Sequence, residues 1–311
     1  MSETLDLGKY LQRVREKEPQ VHCITNFVTA GECANIILAC GGRPVMAHHI
    51  KEAEEITQGS DALVLNMGTV NDVEAMLLAG RRSNELGHPV MLDPVGVSGS
   101  GFRRETFARL TQEIRFQAIR GNVSEICYIA TGHSRAAGVD ACPTERITEE
   151  NVGETAAMAQ AVSRRLGCVV AVSGSLDVVA DSQRALILRG GHPLMARVTG
   201  TGCMSAALLG AFLGAAAARC PQETDGRLLE TGDFAQGQGS LFEAAAAAAA
   251  MMKVCGSLAY EKTAAEGGGT MTFRMHLIDA VSLLTSQHLN LLAKVSRQPG
   301  EGAGREEGEN E

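Results

Sequence analysis

The sequence predicts an α/β protein built on a central, mostly parallel sheet flanked by helices on both faces. Short runs of apolar, often β-branched residues recur at 21–24, 62–66, 90–93, 118–120 and 169–173, each ending at polar or glycine residues. Longer stretches of helical composition separate them, at 31–40, 72–86, 124–129 and 150–166. The strand runs are apolar throughout rather than alternating, which marks strands covered on both faces, and helices are the usual connection between parallel strands.

Taken in chain order, residues 1–20 are polar and charged and read as an amphipathic helix. The five strand runs and their helices follow. The pair 177–180 and 185–189, joined by 181–184, reads as a β-hairpin on one side of the sheet. The second half turns helical: 205–218 and 241–259 are dominated by alanine, the strongest helix former. The unbroken alanine run 244–250 predicts close helix–helix packing. The apolar stretch 204–218 is too short for a membrane span and reads as a buried helix. Residues 296–311 are rich in Gly, Glu and Arg without hydrophobic periodicity, so a dispensable, disordered tail is expected after a single domain over 1–295.

Composition narrows the function classes. The chain of 311 residues carries a net charge of −8, and no basic run with interleaved aromatics, so nucleic acid is not an expected partner. Its 35 glycines suit loops that bring backbone close to a ligand. The nine cysteines form no CxxC pair and no zinc spacing; most, such as Cys127, Cys168 and Cys255, lie in apolar stretches where a reduced thiol acts as a small hydrophobe. An odd count and the absence of a signal-like start lead to the expectation of a cytoplasmic protein, with no membrane partner.

The sharpest motif is Val198-Thr-Gly-Thr-Gly-Cys-Met204, running straight into an Ala-rich helix. Glycines at 200 and 202 let backbone N–H groups approach a ligand, and the helix start adds its positive dipole end, together an anion cradle. A plain Gly-rich turn is the alternative. The loop is not a Walker A sequence, which needs Lys followed by Ser or Thr. Cys203 stands in the first helical turn, where the dipole favours a thiolate that could partner a substrate hydroxyl; a small packing residue is the competing reading.

Arg120-Gly-Asn-Val-Ser-Glu125 leaves a strand and opens a helix. Glu125 can hold Mg²⁺, directly or through water, and Arg120 can neutralise a phosphate oxygen. Equally, Asn122 and Glu125 fit a capped helix start, and the two roles can coexist. Asp93, in Met91-Leu-Asp-Pro-Val95, is either a loop cap or an acid aimed at a metal. Ser173 and Gly174 end another strand and could bond a nucleotide. All of these follow strands at their carboxyl ends, where open α/β sheets bind ligands, and together they are the parts needed for phosphoryl transfer. No Gly-x-Ser-x-Gly elbow, no Gly-x-Gly-x-x-Gly opening and no metal-ligand spacing of histidines competes with that reading.

With these residues in view, the chain resembles the hydroxyethylthiazole kinases, ribokinase-like enzymes of thiamine biosynthesis and salvage. The resemblance spans about 21–284 and rests on Val21-His-Cys-Ile-Thr-Asn-Phe-Val-Thr29, Pro44-Val-Met-Ala47, Leu65-Asn-Met-Gly-Thr69, Leu92-Asp-Pro-Val-Gly96, Ile119-Arg-Gly-Asn-Val-Ser-Glu125, Gly191-His-Pro-Leu-Met195 and the 198–204 loop. It implies a ribokinase-like fold and transfer of the ATP γ-phosphoryl group to the hydroxyl of 4-methyl-5-(2-hydroxyethyl)thiazole with Mg²⁺. It further implies that Met46, Gly200 and Asn26 contact the thiazole, Arg120 and Ser173 contact ATP, and Asp93 and Glu125 serve Mg²⁺. Cys203 takes the place where many ribokinase relatives carry an aspartate base. A homotrimer with active sites between subunits is implied as well. The chain departs from the pattern at Ser173, where Thr is common, at Ser175, where an acid is expected, and at Gly267-Gly-Gly-Thr-Met271. A kinase of a pyrimidine alcohol, an ATP-dependent repair dehydratase and a non-catalytic binding protein on the same scaffold are the rival readings. Loss of activity without loss of folding is expected of Glu125→Ala.

Overall fold

Strands apolar on both faces need cover on both faces, and the chain supplies it. The computed structural model describes residues 5–132, 146–217 and 233–298. Its strands are β1 (Gln20–Ile24), β2 (Arg43–Val45), β3 (Ala62–Asn66), β4 (Val90–Asp93), β5 (Ala118–Asn122), β6 (Val169–Ser173), β7 (Asp177–Ala180), β8 (Ala185–Arg189) and β9 (Lys294–Arg297). They form one nine-stranded sheet in the order β2-β1-β3-β4-β5-β6-β7-β8-β9. Pairing is parallel from β2 through β6 and antiparallel from β6 to β9.

The helices are α1 (Gly8–Lys17), α2 (Ala30–Cys40), α3 (Ala53–Gln58), α4 (Val73–Glu85), α5 (Gly101–Glu113), α6 (Val123–Thr131), α7 (Val152–Leu166), α8 (Thr201–Ala216), α9 (Asp233–Ala265), α10 (Thr270–Leu283) and α11 (Ser286–Leu292). The two-residue period of a strand divides them into layers. Leu63 and Leu65 of β3, with Val170 and Val172 of β6, pack beneath α3–α7. Val64, Val169 and Ala171 point the other way, into a core shared with α1, α2 and α8–α11. Glycine sets how close one layer comes: a Cβ on Gly210 of α8 would lie 2.3 Å from Val64 Cγ2, so α8 rests almost on β3.

The predicted strands and the hairpin are present, with β5 running two residues past the expected end. Sequence reading passed over the short edge strand β2, helices α3, α5, α10 and α11, and the edge strand β9. The last alters the expected boundary at 295: Ser296 and Arg297 pair with Ile187 and Leu186 of β8. The expected tail from 299 onward lies outside the described residues. A second difference concerns the extent of α9, which runs beyond the expected 241–259 while keeping the expected packing. Ser240–Ala265 is long and apolar enough to cross a membrane by length and composition, but 72% of its apolar window is buried inside the fold. A helix hydrophobic all round is a core helix when other elements surround it. A third concerns the thiols. Cys23, Cys33, Cys40, Cys168, Cys203 and Cys255 are free, whereas Cys127 is disulfide-bonded, against the expectation of a reduced thiol there.

Candidate active site

Polar groups gather where the parallel strands end. β1 leads into Asn26, β3 ends at Asn66, β4 at Asp93, β5 at Asn122 and β6 at Ser173. The chain moves one way from β1 to β2 and the other way to β3 and beyond. The crevice between β1 and β3 is therefore the switch point, the place where open α/β sheets hold ligands.

The Gly-rich loop faces that crevice. A 3-10 turn, Pro193–Arg197, delivers the chain to Val198, and Thr201 Oγ1 ties back to Met195 O at 2.9 Å. Gly200 caps α8 with φ 92°, a left-handed conformation that disfavours a side chain. A Cβ there would also lie 2.8 Å from Thr29 Cγ2. Behind it the first-turn amides of α8 have no carbonyl partner within the helix and carry its positive dipole end. Arg120 reaches over the loop: a Cβ on Gly202 would meet its Nη1 at 3.0 Å.

Cys203 lies at the centre. Its Sγ accepts from Asn66 Nδ2 at 3.3 Å and from Asn26 Nδ2 at 3.5 Å. Asn66 Nδ2 also donates to Asp93 Oδ2 at 2.9 Å. Glu125 sits across from Asp93. Its Oε2 accepts from Asn122 N at 2.8 Å and its Oε1 from Gly96 N at 3.0 Å, while Asn122 Oδ1 accepts from Glu125 N at 2.9 Å. The capping box offered as the alternative role of this pair is therefore present.

The model of the hydroxyethylthiazole kinase family matches residues 11–225, which include the strand-end cluster and the Gly-rich loop. The chain belongs to the hydroxyethylthiazole kinase family. A hydroxyethylthiazole kinase of Desulfovibrio desulfuricans is 45% identical over 296 residues, covering 92% of this chain and 96% of that protein. The structure of a hydroxyethylthiazole kinase from Pyrococcus horikoshii OT3 superposes with TM-score 0.76 at 31% identity, covering 94% of this chain and 99% of the other. An ADP complex of Bacillus subtilis pyridoxal kinase matches at TM-score 0.50 and 16% identity over 76% of this chain and 91% of the other, a likeness of fold alone. The fold is ribokinase-like, and the protein is a phosphotransferase.

A kinase of this family calls for Mg²⁺, and the donor set fits one kind of site. Among the described residues no group of three or more His, Cys, Asp and Glu could enclose a metal. Mg²⁺ instead keeps most of its waters and takes one or two carboxylates plus phosphate oxygens. Asp93 and Glu125 suit that mode, since each Glu125 oxygen keeps a lone pair beyond its amide bond. Burial pushes the Asp93 carboxyl up to about 7; Arg120 opposes the rise, Glu125 adds to it, and the Asn66 amide again opposes it. A cation between the two acids would favour the charged form of both.

The remaining predicted residues stand further out. Ser173 Oγ bonds Gly121 O at 3.3 Å, placing the hydroxyl beside Asn122 rather than free over the crevice. Met46 follows β2, half-buried against the core, with no bond to the cluster. Sequence reading also missed residues. Asn66 lay inside the quoted 65–69 block but was given no role. Lys253 interrupts the apolar run of the alanine-rich helix α9 and is buried to 5% exposure. Its Nζ donates to Gly174 O at 2.8 Å and Ser175 O at 3.1 Å and pairs with Asp177 at 2.9 Å, bracing the β6–β7 turn behind Ser173. A lysine breaking an apolar helical run was the available signal. A separate cleft of about 390 Å³ opens at the opposite, amino-terminal strand ends, lined by Phe116, Gln117, Cys168 and Leu241 among others, and contains none of the candidate residues.

Proposed function

We propose that the protein phosphorylates the hydroxyl of 4-methyl-5-(2-hydroxyethyl)thiazole with ATP, giving the thiazole phosphate for thiamine biosynthesis or salvage. The observation that carries this reading is the convergence of Gly200, Cys203, Asn26, Asp93 and Arg120 on one crevice in a chain of this family. In it, the thiazole alcohol lies between Asn26, Gly200 and Met46, with its hydroxyl against Cys203. The migrating phosphoryl group rests on the first-turn amides of α8. Arg120, over Gly202, neutralises its oxygens, and the turn after Ser173 carries the nucleotide.

Little covalent work falls to the protein in phosphoryl transfer, so alignment and charge stabilisation supply most of the rate; alignment alone can contribute on the order of 7–11 kcal/mol. Cys203 offers the hydroxyl a polar partner in place of a carboxylate base. Asp93 and Glu125 would hold Mg²⁺, which when bound supplies positive charge to the ATP phosphates. Phe27 and Val28, 71% and 74% exposed beside Asn26, are apolar surface that another copy would cover, which supports a homotrimer with the site between subunits. A single kinase domain, ending after β9, and a cytoplasmic location complete the reading.

The test is turnover of the thiazole alcohol against the corresponding pyrimidine alcohol, with ATP and Mg²⁺. Preference for the thiazole is expected. Preference for the pyrimidine rejects the substrate, and absence of turnover with either rejects the catalytic reading.

A further inference from the structure

Asn66 is 1% exposed, yet its side-chain amide has four partners. Gly68 N donates to its Oδ1 at 2.8 Å. A backbone N–H can only donate, so this bond fixes which end of the amide is oxygen. The two hydrogens on Nδ2 then go to Asp93 Oδ2 and Cys203 Sγ, at 2.9 and 3.3 Å. Asn26 is fixed in the same way. Thr29 N donates to its Oδ1 at 3.1 Å, leaving Nδ2 for Asn66 Oδ1 at 3.3 Å and for the sulfur at 3.5 Å. Both amides thus turn their donors on one thiol.

The backbone is built around this arrangement. A Cβ on Gly68 would lie 2.6 Å from Asn66 Oδ1 and 2.8 Å from Asn26 Nδ2, so the space that a side chain would fill is taken by the two amides. Met67 N donates to Asp93 O at 2.9 Å, and Arg103 of α5 donates to both Met67 O and Val95 O. The segments bearing Asn66 and Asp93 are therefore pinned to each other before any ligand arrives.

We infer that Asn66 is a positioning residue for phosphoryl transfer: it fixes the Cys203 sulfur against the acceptor hydroxyl and ties that sulfur to the Asp93 carboxylate. The inference rests on the kinase reading above. With two N–H donors on the sulfur, its remaining direction is committed to the crevice, where the hydroxyl must lie. Asn66 stands one bond from each of two groups that must be aligned together, so its loss should act on the reacting geometry more than on substrate binding.

The experiment uses the full chain with Asn66→Ala, Asn66→Asp, Cys203→Ala and the Asn66→Ala/Cys203→Ala double variant. Kinetics with thiazole alcohol and ATP are combined with iodoacetamide labelling of Cys203, followed by mass spectrometry without substrates. For Asn66→Ala, kcat is expected to fall about a hundredfold with either KM changed less than about threefold, and Cys203 labelling to slow severalfold as the sulfur loses a donor. In the Cys203→Ala background the same substitution should cost far less, because partners in one network are not additive. Unchanged kcat, a loss confined to KM, full additivity, or unaltered labelling each overturns the inference. Should Asn66→Ala fail to fold, Asn66→Asp keeps the shape and the Oδ1 acceptor, replaces Nδ2 by an oxygen that shares one proton with Asp93 and leaves none for the sulfur, and carries the same expectation for labelling and kcat. A wild type without turnover defeats the kinase reading instead, and the labelling comparison still decides whether Asn66 holds the sulfur.

Discussion

Substitution of Gly202 by alanine separates stability from activity. Gly202 is the second residue of α8 and has no positive φ, so alanine suits its backbone. Replacing glycine in a helix by alanine stabilises by about 0.5–1 kcal/mol, and near the first turn the gain is at the lower end. The added methyl, however, meets Arg120 Nη1 at 3.0 Å, where ordinary contact begins near 3.4 Å. The guanidinium must withdraw by roughly half an ångström, and the methyl occupies the cradle proposed for the phosphoryl group. Arg120 also opposes the rise in the Asp93 pKa, more strongly than the Asn66 amide does, so its withdrawal disturbs the acid as well. Misplacement on the ångström scale costs up to about a hundredfold, so kcat/KM should fall on the order of tenfold to a hundredfold. Thermal melting and a coupled ADP-release assay read the two effects on one preparation. Unchanged or raised Tm with depressed kcat/KM is expected. A variant that melts like the wild type and keeps its kcat/KM within about twofold refutes the cradle and with it the role of Arg120.

Three further outcomes follow from the same contacts. Glu125→Gln keeps the size of the side chain but sets an N–H donor against Gly96 N or Asn122 N, so it should lose about 1–3 kcal/mol in urea denaturation as well as activity. This departs from the expectation that Glu125 can be replaced without affecting folding, because the carboxylate is also the reciprocal cap of α6; wild-type turnover at limiting Mg²⁺ would remove it from the metal site. Lys253→Met leaves Asp177 with its charge partner gone and should destabilise by about 3–5 kcal/mol, with KM for ATP raised more than KM for the alcohol; an unchanged KM for ATP would limit Lys253 to folding. The buried His22, with Nε2 donating to Ala47 O and Nδ1 accepting from Thr57, has its pKa pushed by burial down to about 4, although the bond to Ala47 opposes the shift. The unfolded chain takes up that proton near pH 6.5 and the native state does not, so the His22 contribution is intact above pH 6.5 and is lost as pH falls toward 4, by about 3 kcal/mol in all. Urea titrations of wild type and His22→Gln should converge in their pH dependence over that window if another group is responsible, and diverge if His22 is.

How much of this was legible beforehand depended on how local the signal was. The strands 62–66, 90–93 and 169–173 could be delimited to the residue, because burial on both faces demands an unbroken apolar run and the polar residue ending it is the one that reaches the crevice. β2 and β9 could not. Each is an edge strand of only three or four residues, too short to carry a period of its own. Within the site, Gly200, Gly202, Asn122 and Glu125 declared themselves through turn and cap chemistry between near neighbours. Asn66, Lys253 and Gly68 did not, since their partners are 137, 79 and 42 residues away or more remote in the fold than any sequence window reaches.

The α/β layering, the Gly-rich helix start and the placing of polar residues after strands are readable along the chain, because they follow from periodicity, propensity and capping within a few residues. Which of those polar groups meet is set by how the layers pack. The order of strands brings β1 and β3 side by side and sets α8 on β3 through Gly210. Those long-range contacts put Asn26, Asn66 and Cys203 within hydrogen-bonding reach. The physical reason is that hydrogen bonds between side chains act over about 3 Å, while the residues that make them are joined only by the packing of whole layers.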